Sequence, residues 1–187
     1  MSPYNSLMTP IAIEPDDARD QIRFFSNANK KEREKWVIEN WCRITGRIGS
    51  RITKGEAPDY VVNEEGVEIV EVLLPDRKRH DECKMEGLAQ PCNAGSLERT
   101  VAQGHLWLLK IIDAKAKKYG SGAKGWVLLL YVNFSFWQRI DWDFLKSKLA
   151  ATQPQFKRVD ALTADGQTVV TLFNQIGDNY DNQEKHQ

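Results

Sequence analysis

Ala57-Pro58-Asp59-Tyr60-Val61-Val62, Asn63-Glu64-Glu65-Gly66 and Val67-Glu68-Ile69-Val70-Glu71-Val72-Leu73-Leu74 follow one another in the chain and read as two short strands joined by a polar turn. Asp59 stands at the head of the first strand. Successive residues of a strand point to opposite faces, so Val67, Ile69, Glu71 and Leu73 share one side while Glu68, Val70, Val72 and Leu74 share the other. Glu71 therefore lies between apolar neighbours, where a carboxylate is costly unless a cation or hydrogen-bond donors satisfy it. A hairpin of this length brings Asp59 and Glu71 toward one end of a sheet, where two carboxylates can hold a divalent metal through oxygen. A register shifted by one residue makes Glu68 the inward acid instead. The same stretch also reads as a surface hairpin carrying solvated acids.

The flanking segments supply the rest of a layered domain. Asp16 and Asp17 are candidate caps for a helix whose apolar side, Ile22, Phe24, Phe25, Trp36, Val37, Ile38 and Trp41, runs to about residue 44, with a break near Ser26-Asn27. Arg47 to Thr53 reads as a short strand or turn. Residues 75–96 are polar and carry Pro75, Gly87, Pro91 and Gly95, which predicts a loop. Ser96 is the expected cap of a long helix with Val101, Leu106, Leu108, Leu109, Ile111, Ile112 and Ala116 on its apolar side, ended by Tyr119-Gly120-Ser121-Gly122. Trp126 to Val132 is almost continuously apolar, as expected of a central strand covered on both faces. A short helix over Asp141–Leu149 and strands over Val159–Leu162 and Thr168–Phe173, separated by an Asp165-Gly166 turn, complete the pattern. The fold class this order predicts is α/β, a mixed central sheet with helices on both sides.

Composition narrows the function classes. A chain of 187 residues, 41% hydrophobic and 28% charged, fits a single domain over 1–187, with an extended arm over 1–15 and a polar tail over 177–187. Twenty-six basic residues balance twenty-six acidic ones, so attraction to nucleic acid must come from local patches. Cys42, Cys83 and Cys92 form no even framework and no CxxC pair, which fits a reducing compartment and a cytoplasmic location. No export signal and no membrane-spanning run is expected.

Helix, strand beginning Pro-Asp, strand bearing a second acid, helix and buried strand together resemble the PD-(D/E)XK nuclease superfamily, the restriction-endonuclease-like fold with its αβββαβ core, over about residues 28–132. The resemblance implies a nuclease whose two acids hold Mg2+ (or Mn2+), with a lysine two residues past the second acid helping to activate water. Asp59 matches the Pro-Asp acid and Glu71 the second acid. The third position departs from the pattern, because Glu71-Val72-Leu73 carries leucine; Arg77, Lys78, Lys84 or a lysine on the long helix are the substitutes, with Lys78 taken as the catalytic candidate. The resemblance also implies an acid on the first helix and a polar residue on the helix after the second acid, for which Glu39 and Gln103 are the candidates, with Glu32 and Lys110 as competitors.

A metal between Asp59 and Glu71 would lower the pKa of a bound water and polarise a phosphodiester. Arg47 and Arg51 before the Pro-Asp strand, and Arg77, Lys78 and Arg79 after the second, place positive charge on both sides, as a phosphate track does. The expected substrate is nucleic acid, DNA first, with a homodimer or a protein partner as further options. The rival is a non-catalytic module of the same fold that binds nucleic acid or a protein. A zinc site from His80, Cys83 and Cys92 with His105 is a minor candidate. Gly120-Ser121-Gly122-Ala123-Lys124-Gly125 is not a phosphate-binding loop, since its spacing is wrong and it precedes a strand.

Overall fold

A computed structural model describes residues 30–47, 50–73, 94–133 and 139–175, with backbone alone over 94–103. The elements are α1 (Lys30–Ile44), β1 (Ile52–Lys54), β2 (Tyr60–Val62), β3 (Glu65–Val72), α2 (Ala94–Tyr119), a 3-10 turn (Gly120–Gly125), β4 (Val127–Val132), α3 (Trp142–Thr152), β5 (Arg158–Thr163) and β6 (Val169–Asn174). Among the described residues six strands form one sheet in the order β1-β2-β3-β4-β5-β6. The β3–β4 and β4–β5 pairings are parallel and the other three antiparallel, which makes the sheet mixed as expected. The expected arm, the first half of the predicted first helix, residues 75–93 of the expected 75–96 loop and the polar tail lie outside the described residues, while 94–96 are helical.

Strand β4 is central and all six of its residues are buried. Leu128, Leu130 and Val132 pack with Leu108 and Ile112 of α2 and with Leu145 and Leu149 of α3 on one side. Val127, Leu129 and Tyr131 pack with Val37, Ile38 and Trp41 of α1 on the other. Alternation along a strand thus builds two cores, and the continuous apolar run was the sequence sign of both.

Three boundaries differ from expectation. Helix α2 begins at Ala94, which puts Ser96 inside its first turn, where amides lack intrahelical partners and polar residues are tolerated. Asp141 is the cap of α3, accepting from the Phe144 amide at 2.9 Å, and the helix runs on to Thr152 before Gln153 turns left-handed. The β2–β3 turn is tighter than Asn63 to Gly66. Asn63 and Glu64 alone form it, both at positive φ (49° and 72°), and Val62 pairs with Glu65. A two-residue turn with both φ values positive matches the twist of the flanking strands.

Candidate functional site

The tight turn sets the register at the other end of the hairpin. The pairing ends with Tyr60 opposite Val67, and the register carried one residue further sets Asp59 beside Glu68, whose charge acts on it. β2 ends its pairing there while β3 runs on to Val72, and the freed edge of β3 opens a cleft of about 310 Å³ between α1 and α2. Glu34, Asp59, Glu68, Glu71, Lys115 and Tyr119 line it, among others.

The two acids of β3 take opposite faces, and each meets a cation from the helix covering that face. Glu71 faces α1, where Arg33 Nε donates to its Oε2 at 3.1 Å, with side-chain exposures of 3% and 8%. Asn133 Nδ2, just past β4, donates to Glu71 Oε1 at 3.1 Å. The requirement that a cation satisfy Glu71 is therefore met, by a residue outside the expected candidates. Glu68 faces α2, where Lys115 Nζ and the Tyr119 hydroxyl both donate to its Oε1 at 2.7 Å. Its other oxygen, Oε2, is buried and has no hydrogen-bond partner among the described residues.

Asp59 is held by the backbone of β3, its Oδ2 accepting from the Ile69 amide at 2.9 Å. Burial raises its pKa above the ordinary aspartate value, the negative charge of Glu68 and Glu34 adds to the rise, and the Ile69 amide and Lys115 oppose it. Burial likewise raises Tyr119, which with its hydrogen bond to Glu68 is pushed up to about 12, so the phenol keeps its proton at neutral pH. Burial of Glu34 is outweighed by hydrogen bonds and charge from Lys54 and Lys30, which hold its carboxyl below the usual range. Lys54 Nζ lies 2.6 Å from Glu34 Oε2.

Asp59 and Glu71 both line the cleft, but the residue placed alongside Asp59 is Glu68. Glu39 is exposed on the solvent side of α1, paired with Lys35 at 3.7 Å; the α1 acid in the cleft is Glu34. Gln103 lies on α2 in the stretch described by backbone alone. Arg77, Lys78, Arg79, Lys84, His80, Cys83 and Cys92 lie outside the described residues. Arg47 and Arg51 stand at the turn end of the hairpin, away from Asp59. Arg47 pairs with Glu65 at 3.2 Å and stacks over Trp41, and the Arg51 amide bonds Asn63 Oδ1 at 2.9 Å. His105 accepts from the Asp141 amide at 2.7 Å.

A sequence sign for Lys115 existed. Residues 108, 112, 115 and 119 follow the helical repeat, so Lys115 sits in the same stripe as buried Leu108 and Ile112. Arg33, Val37 and Trp41 show the same pattern on α1. A cation inside an apolar stripe needs a buried acid opposite it, and β3 supplies one on each face.

Among the described residues no three His, Cys, Asp or Glu side chains group as a metal site. Two carboxylates are nonetheless a usual protein share for Mg2+, which keeps waters and takes phosphate oxygens for the rest. The unpartnered Glu68 Oε2 fits that donor set.

The chain belongs to the family described as "Putative endonuclease, protein of unknown function (DUF1780)", whose model matches residues 11–136. The match takes in α1 through β4 and so every cleft residue named above. No curated protein and no solved structure matches the chain. Among the described residues no helix is long and apolar enough to cross a membrane.

Proposed function

We propose that this is a metal-dependent nuclease of the PD-(D/E)XK type, acting on DNA, with Asp59 and Glu68 as metal ligands and Lys115 in the role of the missing strand lysine. The observation that carries the reading is the placement of Asp59 beside Glu68, whose Oε1 is held by Lys115 at 2.7 Å while Oε2 stays buried without a partner. The helix-strand-strand-strand-helix-strand order of α1 to β4 supports it, as does the endonuclease description of the family. This reading moves the second ligand from Glu71 to Glu68, because Arg33 and Asn133 already engage both oxygens of Glu71.

Mg2+ or Mn2+ bound by the two carboxylates would supply an activated water and a charge clamp on phosphate. The Ile69 amide fixes Asp59 by its Oδ2. Two neighbouring acids of like charge repel, and Asp59 and Glu68 would hold a cation whose charge would offset the cost that burial and Glu68 impose on ionised Asp59. Lys115 brings a preplaced ammonium to the cleft, where it donates to phosphate oxygen as negative charge builds there. Lys30, exposed at the cleft, is the proposed backbone contact, joined by the Arg77-Lys78-Arg79 run that follows β3.

The test is cleavage of supercoiled plasmid and single-stranded DNA with Mg2+ or Mn2+. The parent is expected to cut, Glu68→Gln to lose both cleavage and Mn2+ binding, and Lys115→Met to keep Mn2+ while losing on the order of 10²–10³ in rate, as removal of one charge-stabilising donor does. A folded parent that binds DNA but never cuts it favours the non-catalytic module. Parental rates in Lys115→Met remove that residue from the mechanism.

A further inference from the structure

We propose that Tyr119, backed by Lys118, is the positioning residue that presents Glu68 to a divalent cation and keeps it in place when Lys115 turns to the substrate phosphate; the inference rests on the function proposed above. Glu68 Oε1 accepts two hydrogen bonds at 2.7 Å, from Lys115 Nζ and from the Tyr119 hydroxyl. Both donors sit on the last turns of α2, one helical turn apart, so they approach the same oxygen from one face. With Oε1 doubly occupied, the orientation of the carboxylate is fixed and Oε2 is the oxygen left without a partner among the described residues.

The two donors differ in what they do when a phosphate arrives. Lys115 is a cation and is drawn to the phosphate, which loosens its hold on Glu68. The phenol is neutral and has no such attraction. It also has a single proton, and the direction of that proton is set from behind, because Lys118 Nζ donates to the phenolic oxygen at 2.9 Å. An oxygen already accepting from Lys118 gives its own hydrogen to Glu68.

The ring itself is held by packing independent of the hydrogen bonds. Tyr119 meets the Trp126 ring edge-on, with centroids 5.2 Å apart. Trp126 in turn lies over Gly66 together with the Pro58 ring, the neighbour of Asp59. Tyr119 and Gly66 thus share the Trp126 indole as a neighbour, and Gly66 also lies next to the ring of Pro58, the residue preceding Asp59. Outer groups that orient metal ligands typically change metal affinity 10–100-fold when removed.

The experiment titrates Mn2+ alone into the full chain, read by electron paramagnetic resonance and calorimetry, for the parent, Tyr119→Phe, Lys118→Met and Glu68→Gln, with thermal unfolding of each. Tyr119→Phe keeps the ring against Trp126, so unfolding temperature should stay close to parental while Mn2+ binding weakens about tenfold or more. Lys118→Met, at an exposed position, should weaken binding in the same direction by a smaller factor. Mn2+ affinity equal to the parent in Tyr119→Phe overturns the positioning role and leaves the nuclease reading standing. Should Tyr119→Phe fail to fold, Lys118→Met decides, and unchanged affinity there overturns the proposal. A parent that does not bind Mn2+ at all removes both the nuclease reading and this inference.

Discussion

The Arg33–Glu71 pair gives the sharpest test of which acid is structural. Arg33 is buried in the α1 stripe, and its Nε lies 3.1 Å from a carboxylate exposed by only 8%. Arg33→Met keeps an unbranched stem beside Val37 but strands the charge on Glu71. Removing one partner of a buried ion pair costs about 3–5 kcal/mol. For a chain of this size each kcal/mol moves the unfolding temperature by roughly 2–4 °C, so the variant should melt roughly 6–20 °C below the parent. Replacing both partners, in Arg33→Met/Glu71→Gln, should recover at least half of that loss, since no buried charge is then left without its counter-ion. Urea midpoints at unchanged m-value provide the energies. A single-variant loss below ~1 kcal/mol, well short of that range, refutes the argument, and so does a double variant no better than the single. The double variant should also bind Mn2+ as the parent does. Loss of binding there would return the second metal ligand to Glu71.

Two further outcomes follow from the geometry of the cleft. Asp59 has a raised pKa in the fold, so its contribution to stability is present below the ordinary aspartate value of 3.8 and is lost as pH rises through the folded value. Asp59→Asn should therefore melt above the parent at neutral pH, with the gap closing as pH falls toward 3.8, while Mn2+ binding is lost at every pH; melting curves across that range check the sign, and a variant less stable than the parent at pH 7 contradicts it. Gly66 is required for space rather than for backbone freedom, because a Cβ there would lie 2.7 Å from Trp126 Cδ1 and 2.8 Å from Pro58 Cγ. Gly66→Ala should cost about 1–3 kcal/mol by overpacking two rigid rings, read by denaturant unfolding, and should weaken Mn2+ binding by shifting Pro58 and Asp59.

What the sequence by itself determined was the layering. Six apolar residues in a row made β4 central, and alternation in 67–74 put one acid on each face of β3. Pro-Asp before Tyr60-Val61-Val62 placed Asp59 at the head of β2, and Gly120 after Tyr119 ended α2. Which of Glu68 and Glu71 stands beside Asp59 was decided by the tertiary structure, for a local reason. As a sequence, Asn63 to Gly66 reads as a four-residue polar turn, whereas Asn63 and Glu64 alone form it, both at positive φ. That shorter turn sets Asp59 beside Glu68. The counter-ions were hidden for a different reason. Lys115 and Arg33 lie 47 and 38 residues from their acids, and no spacing rule joins a helix position to a strand position until the helices dock on the sheet. Their presence inside apolar stripes was legible; their partners depended on which face of β3 each helix covers.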